Sequence, residues 1–374
     1  MANARLQFID ALRGVAILMV VAAHAAEVTQ IGGITGKVAH FGAYGVQLFF
    51  VISAFTIFIS YEKSVVRECS PVRNFFIRRL CRIVPVYWAG IVLYTLIYGA
   101  ASRGWTPAPE PWHFVVHTLL LNNLFPTTQS SVVPGGWSIG CEVLFYLTVP
   151  LWFRFVRTRR AAVLFCALAA CSGWCLTFLG DQWINPPANF VSPEILSAFW
   201  YRTILAQLGC FSFGILLYQL LKGTSANLSP RYWQIAGVAG LGAALVVPSE
   251  WRVGHLCASG GFMGLAVALS AEPSAVVVNR FLQWVGRISY SVYLFHFLVL
   301  AVLAAYPLPI PFGSRSLLFL CVFVLATVGT LPIAALSHQV LEKPFITLGH
   351  RLVARLVERG EKRGQSQTLP VISR

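Results

Sequence analysis

Charged residues are scarce in this sequence: Asp, Glu, Lys and Arg make up 11% of its 374 residues, whereas 57% are hydrophobic. A typical soluble chain is about a quarter charged, so the composition excludes a water-soluble fold and predicts an integral membrane protein. Acidic residues are the scarcest charged group, 13 against 28 Lys and Arg. The basic residues lie in short segments between long apolar runs, which is typical of membrane topology and not of a nucleic-acid-binding surface. We therefore expect the lipid bilayer as a partner and no nucleic acid.

Patterns that would indicate a disulfide framework or a metal site are missing as well. The nine cysteines are an odd number, and most of them fall within apolar runs. Cys171 and Cys175 have four-residue spacing, yet no histidine or second cysteine pair completes a zinc pattern. We expect no metal site and no bound cofactor.

Long apolar runs, in contrast, occupy most of the chain. A helix that crosses a bilayer requires about twenty mostly apolar residues. The segments that fit this requirement are 6–26, 45–61, 84–100, 136–154, 161–179, 199–221, 233–247, 255–271, 286–305 and 316–340. The sequence thus predicts an all-α, polytopic membrane bundle of about ten transmembrane helices in one domain, residues 1–345, and a basic cytoplasmic tail, residues 346–374. Segment 112–125 is too short and too polar for a span, and we interpret it as re-entrant or interfacial.

The distribution of Lys and Arg predicts the orientation of the bundle, because these residues accumulate on cytoplasmic segments. With a cytoplasmic N-terminus, the outer segments keep only Lys37, Arg103, Arg202, Arg252 and Arg315, and all other connecting segments are rich in basic residues. Ten spans with both termini in the cytoplasm fit this distribution, whereas an eleventh crossing would not. The chain shows no internal repeat.

The first predicted span carries three ionisable residues, and such groups are costly within a membrane. Asp10, Arg13 and His24 point in similar directions at 100° per residue and form one polar stripe. Arg13 and His24 are about 16 Å apart along the helix axis. Because ionisable residues within a membrane are functional by default, the stripe indicates a functional site. The alternative is that Asp10 and Arg13 neutralise each other and that His24 caps a helix end.

Four arginines precede the third predicted span, in the segment RNFFIRRLCRIVP at 73–85. Arg78, Arg79 and Arg82 lie close to one another at helical spacing. Guanidinium groups offer bidentate forks to phosphate, so the group predicts a phosphate-bearing ligand. Ordinary cytoplasmic charge with lipid headgroup binding is the alternative, and spacing alone does not decide between them.

A carboxylate lies about two turns inside the fourth span, where Glu142 has Ser138 and Tyr146 at four-residue spacing on its face. Its depth is similar to that of His24. Glu142 could orient an imidazole or stabilise its protonated form, which is the usual partnership in acyl transfer. A purely structural Glu142 is the alternative.

Other polar candidates lie in later or neighbouring spans. Tyr293 and His296 share a face of the ninth span, where His296 has either a packing or a chemical role. Glu342 follows the tenth span. We interpret Ser53, in LFFVISAF, as a helix-packing residue, because no base lies beside it in sequence.

As an ordered set, six motifs resemble the acyltransferase 3 family of membrane O-acyltransferases: IDALRGVAILMVVAAH, GVQLFFVISAF, FFIRRLCRIVPVYW, WSIGCEVLFY, SYSVYLFH and LEKPF. The resemblance covers residues 5–345. It implies transfer of an acyl group, usually acetyl, from cytoplasmic acyl-CoA to a sugar or other hydroxyl acceptor at the outer face of the bacterial inner membrane. The chain is similar to stand-alone members without an extracytoplasmic domain.

The resemblance also implies roles for individual residues. His24 matches the essential histidine of the family, Arg13 its first-helix arginine, Arg79 with Arg82 its paired arginines, and Glu142 its acidic residue. In the expected mechanism the arginines bind acyl-CoA, and the pantetheine arm follows the stripe from Arg13 to His24. His24, oriented by Glu142, then accepts the proton of the acceptor hydroxyl.

Three alternatives remain open at this point. The acyl group could be held covalently on a side chain before its transfer. A transporter or flippase for a polysaccharide precursor would also have about ten spans and buried charges, although such proteins usually show internal repeats and broken helices. A structural subunit that recruits partners through its basic tail is the third.

Overall fold

The computed structural model describes residues 4–103, 108–183, 191–222, 229–309 and 313–367 and is all-helical over that part of the chain. The helices are α1 (Ala4–Thr29), α2 (Gly33–Phe41), α3 (Gly45–Arg67), α4 (Pro71–Tyr98), α5 (Pro111–Thr118), α6 (Gly136–Phe155), α7 (Arg159–Trp183), α8 (Pro193–Arg202), α9 (Ile204–Leu221), α10 (Pro230–Val246), α11 (Gly254–Ala271), α12 (Arg280–Arg287), α13 (Ser289–Ala305), α14 (Arg315–Ser337) and α15 (Lys343–Gln367). A π-helical turn, His338–Glu342, joins α14 to α15.

Every predicted span coincides with one of these helices or with a pair of them, which confirms the prediction of an all-α, polytopic bundle. Among the described residues, eight helical stretches are long and apolar enough to cross a membrane. A ninth is added if α12 and α13, which meet at 80°, form one bent span. α10 has only 17 residues, about 26 Å at the usual rise, slightly less than a bilayer core. Length and composition therefore support eight or nine spans, against the ten predicted.

Segment 112–125 does not form a continuous helix. α5 has eight residues and is about 12 Å long, too short to cross a bilayer. The rest of the segment forms turns that lie against α4 and α6, where the amide of Asn123 donates to the carbonyl of Trp137 at 3.1 Å. The prediction that this segment is not a span is correct.

Contacts between helix ends show which helix ends lie at the same end of the bundle. Lys222, directly after α9, forms an ion pair with Glu62 near the end of α3, at 2.5 Å. Arg315, at the start of α14, donates to the carbonyl of Thr29, the last residue of α1, at 3.3 Å. We refer to the N-terminal end of the bundle, where α1 begins, and to the opposite end, where α1 finishes at Thr29.

Apolar side chains cover both the interior and the outside of the bundle. Large hydrophobic residues such as Leu96, Leu168 and Val328 are exposed on α4, α7 and α14, which is expected of surfaces that face lipid. Inside, the ring of Phe211 on α9 stacks on Phe145 of α6, with centroids 4.2 Å apart, and α3 contributes a further ring to the same stack. This stack connects α3 and α6 through α9, so that the polar groups of α3 and α6 lie close to each other.

Candidate active site

A cavity opens between α1, α3, α4, α6 and α13 and contains about 710 Å³ of empty space, its mouth included. The polar residues that line it are Arg13, Ser53, Arg79, Arg82, Ser138, Glu142, Tyr146, Ser289, Tyr290 and Tyr293. Apolar surface from α3, α4 and α6 completes the lining. Eight of the thirteen site residues predicted from the sequence therefore meet in one space, although they come from five helices.

Arg13 joins α1 to the wall of the cavity. Its Nη2 donates to the hydroxyl of Thr56 on α3 at 3.3 Å, and its Nη1 lies 3.9 Å from Oδ1 of Asp10. At this end of α1 the structure thus contains the predicted polar stripe, in which Asp10 is the partner of Arg13. Asp10 itself does not belong to the lining.

Arg79 and Arg82 bring two further positive charges to the cavity from α4. The guanidinium of Arg79 lies over the rings of Phe75 and Tyr146, 5.5 and 5.7 Å from their centroids. Three guanidinium groups thus share the lining with one carboxylate, Glu142. Electrostatic attraction is strong where water is excluded, so this excess of positive charge suits an anionic ligand.

Glu142 receives two hydrogen bonds on the same oxygen. The hydroxyl of Ser53 on α3 donates to its Oε1, and the phenol of Tyr146 donates to that atom at 2.7 Å. Tyr146 is one turn further along α6, as its four-residue spacing predicted. The contact to Ser53, 89 residues earlier in the chain, provides the base that sequence inspection did not find beside this serine.

A tight junction lies between Tyr293 of α13 and the start of α6. Ser138 donates to the hydroxyl of Tyr293 at 2.7 Å, and that hydroxyl donates to the carbonyl of Gly135 at 3.0 Å. Gly135 has φ +71°, and a Cβ there would lie 2.9 Å from the ring of Phe297 and 3.0 Å from the hydroxyl of Tyr293. Only glycine fits this conformation and this close approach.

His24 does not line the cavity and does not bond to Glu142, so the prediction that Glu142 orients His24 is wrong. The Nδ1 of His24 instead lies 2.9 Å from Oε2 of Glu27 on the same helix. The His24 ring also packs 4.6 Å from the ring of Phe297 and 5.3 Å from that of His296. Glu27 is the residue that the sequence analysis missed, although its three-residue spacing from His24 is a signal for such a pair.

His296 is buried next to His24. Its Nδ1 lies 2.8 Å from the carbonyl of Tyr293, an acceptor, so Nδ1 carries the proton and Nε2 has the free lone pair. In the part of the chain that the structure describes, this Nε2 has no hydrogen-bond partner. The phenol ring of Tyr293, 5.8 Å away, separates His296 from the cavity.

Two other predicted residues have structural partners outside the cavity lining. Arg78 donates to Oε1 of Glu68 at 2.9 Å and also to the hydroxyl of Ser64, so it ties the end of α3 to α4. Glu342 is buried in the π-helical turn and lies 2.9 Å from Nδ1 of His338. Glu342 also attracts the charge of Arg82 electrostatically. Glu342 therefore provides Arg82 with a negatively charged neighbour outside the cavity lining.

The loop at the opposite end of the bundle depends on a histidine that the sequence analysis did not single out. His117 of α5 lies 2.8 Å from the hydroxyl of Tyr87 and 2.6 Å from the carbonyl of Thr128. The carbonyl can only accept, so Nε2 donates to it and Nδ1 accepts from Tyr87. Burial lowers the pKa of His117 to about 3. This neutral histidine joins α4, α5 and the loop that leads to α6.

A family model described as an acyltransferase domain matches residues 6–338, almost all of the helical bundle. The chain belongs to the acyltransferase 3 family. It is thus a multi-pass membrane enzyme that transfers acyl groups other than amino-acyl groups, and the family and the enzyme class expected from the six motifs are confirmed.

Relatives of this acyltransferase 3 protein point the same way. It is 27% identical to acyltransferase MdmB of Streptomyces mycarofaciens, over 79% of each chain. It is 28% identical to the exopolysaccharide production protein ExoZ of Rhizobium meliloti (strain 1021), over 87% of this chain and 96% of that protein. It is 25% identical to the putative peptidoglycan O-acetyltransferase YrhL of Bacillus subtilis (strain 168), over 93% of this chain and 56% of that protein.

Proposed function

We propose that this protein transfers an acyl group from cytoplasmic acyl-CoA to a hydroxyl of a cell-envelope or exported glycan at the outer face of the bacterial inner membrane. Acetyl is the acyl group that we propose first. The observation that carries the proposal is the cavity in which three arginines face Glu142 and several hydroxyls. A purely structural subunit has no need of such a costly set of groups within the membrane.

The arginines support acyl-CoA as the donor. Its phosphates are strong acceptors, and guanidinium groups bind phosphate bidentately. Arg79 is held against two aromatic rings and Arg13 is fixed by Thr56, so both are pre-oriented before a ligand binds. In the proposal, Arg13, Arg79 and Arg82 hold the donor, whereas Arg78 contributes through its ion pair with Glu68.

The pair of His24 and Glu27 supports transfer to a hydroxyl. When Nδ1–H donates to the Glu27 carboxylate, Nε2 presents a lone pair that can accept the acceptor's proton. The carboxylate then stabilises the imidazolium that forms, which is the role of the acidic member of a catalytic triad. The relatives named for exopolysaccharide production and for peptidoglycan O-acetylation favour a glycan as the acceptor.

The purified protein, reconstituted in liposomes with radiolabelled acetyl-CoA and an envelope glycan extract, tests this function. We expect labelled glycan with the wild-type protein and none with His24→Ala at equal protein levels. Mass spectrometry of envelope glycans from a deletion strain would identify the acceptor by the acetyl group it lacks. Absence of labelled product with every glycan fraction of the host would contradict the proposal, as would an active His24→Ala protein.

A further inference from the structure

Ser53 is a hydroxyl with a carboxylate base, within the cavity that we propose as the donor site. It lies in the middle of α3, buried, and donates to Oε1 of Glu142 across the α3–α6 contact. A serine becomes a nucleophile when an adjacent base can accept its proton. Since Tyr146 donates to the same oxygen, the carboxylate is held in place towards Ser53.

The surroundings of Ser53 also suit the charge that develops when a thioester is attacked. Arg13 lines the same cavity, and its guanidinium is fixed to Thr56, which is three residues from Ser53 on the same helix. A cation at this position can stabilise an oxyanion on the acyl carbon, and such stabilisation is worth most in a water-excluded space. His24, in contrast, lies outside the lining, against Phe297. An acyl group in the cavity therefore meets Ser53 before it can meet His24.

From this geometry we infer that Ser53 accepts the acyl group and carries it as an ester until the acceptor hydroxyl removes it. The inference rests on the proposed function. In the first step the Oγ–carbon bond of Ser53 forms, the carbon–sulfur bond breaks, the serine proton passes to Glu142, and CoA leaves as its thiolate. In the second step the acceptor oxygen bonds to the acyl carbon, the ester bond to Ser53 breaks, and the proton held by Glu142 returns to Oγ. The acceptor's proton passes to His24 and from there to solvent, and the thiolate of CoA takes up one proton from solvent, so that protons balance over the two steps.

The other hydroxyl groups that line the cavity are less suited to accept the acyl group. Ser138 donates to Tyr293, which is not a base. Tyr146 shares the Glu142 oxygen, but it is on the same helix one turn away and its ring lies under the guanidinium of Arg79. The contacts of Tyr146 are those of a group that positions the Glu142 carboxylate. Identification of the labelled residue distinguishes an acyl group on Ser53 from one on Tyr146.

The experiment is single-turnover trapping in nanodiscs with radiolabelled acetyl-CoA and no acceptor. We expect a burst of free CoA equal to the amount of protein, one acetyl group per chain, and a labelled peptide that contains Ser53. Ser53→Ala should lose both the burst and the label. Ser53→Cys should keep the label, now as a thioester that hydroxylamine releases at neutral pH. The matched control is Ser212→Ala, because Ser212 is a buried helical serine outside the cavity lining whose hydroxyl donates to the carbonyl of Gly209 on its own helix.

The outcomes separate the inference from the proposed function. Wild-type protein that acetylates glycan without a burst, or that carries the label on Tyr146, overturns the role of Ser53 and leaves the proposed function intact. Release of no CoA with or without glycan overturns both. If Ser53→Ala is not folded, by its melting temperature in detergent, the labelled peptide of the wild type and the hydroxylamine sensitivity of Ser53→Cys still decide the question.

Discussion

Two acid–base pairs lie at different places in this acyltransferase. His24 pairs with Glu27 on α1, and Glu142 pairs with Ser53 between α6 and α3. The junction of Tyr293 with Ser138 and Gly135 adjoins the cavity on the side of the His296 ring, which in turn packs against His24. Proton transfer at the donor and proton transfer at the acceptor can therefore use different groups.

Substitution of Glu27 tests the role of the first pair. Glu27→Gln keeps an acceptor for the His24 Nδ1–H but removes the charge, whereas Glu27→Ala removes both. We expect kcat to fall in that order, with Glu27→Ala approaching the ~10²–10⁴-fold loss typical of a lost general base, and the KM for the donor to change little. Steady-state acetyl transfer measures both constants. Glu250→Gln, in an exposed turn, is the control, and wild-type kcat in Glu27→Ala would refute the pairing.

Arg79 and Arg78, adjacent in sequence, should respond differently to substitution. Arg79→Lys removes a bidentate fork from the cavity and should raise the donor KM ~10-fold or more, because a charge-assisted hydrogen bond contributes ~1.5–3 kcal/mol. Arg78→Ala breaks the ion pair with Glu68 and should lower the melting temperature more than the donor affinity. Donor titrations and thermal melts of both variants provide the measurement. The distinction fails if Arg78→Ala has the larger effect on KM.

At the scale of elements, α5 and its loop depend on the neutral state of His117. Its folded pKa is about 3, below the value near 6.5 in an unfolded chain. The unfolded state therefore binds the proton more readily, and this contribution to stability is complete above pH 6.5 and declines as the pH falls towards 3. Between pH 7 and 5.5 the loss amounts to about 1 kcal/mol.

His117→Gln should remove this pH dependence, because glutamine can donate to Thr128 and accept from Tyr87 without titrating. We expect the melting temperature of the wild type in detergent to fall between pH 7 and 5.5 more steeply than that of His117→Gln. His350→Gln, at an exposed position of α15, should show the same dependence of melting temperature on pH as the wild type. Parallel slopes for wild type and His117→Gln would show that another group controls this range.

Helices were predictable from this sequence, and contacts between distant helices were not. Apolar runs located each span because their length follows from the bilayer. The pair of His24 and Glu27 was within reach of sequence analysis, since residues three apart on a helix are neighbours. The contact of Ser53 with Glu142 was not, because it depends on how α3 packs against α6. The 80° bend between α12 and α13 was likewise hidden within one apolar run.

At the scale of the whole molecule, the last helices extend beyond the bilayer. α14, the π-helical turn and α15 form a continuous helical stretch in which 315–358 alone contains 44 residues, about 66 Å, or twice the thickness of a bilayer core. α14 begins next to the end of α1, so the excess length lies beyond the N-terminal end of the bundle. The exposed Arg351 and Arg355 are on this excess. The positive-inside rule therefore predicts that the N-terminal end, where α1 begins and α15 extends, is cytoplasmic.

Native cysteine chemistry tests this orientation. Cys69 is exposed between α3 and α4, at the N-terminal end of the bundle. In intact spheroplasts we expect a membrane-impermeant maleimide to leave Cys69 unlabelled, and to label it after permeabilisation, with Cys69→Ser as the background. Gly32→Cys places a thiol in open space between α1 and α2 at the opposite end, so it should react in intact spheroplasts. Labelling of Cys69 before permeabilisation, with protection of Gly32→Cys, would invert the topology and place the arginines away from cytoplasmic acyl-CoA.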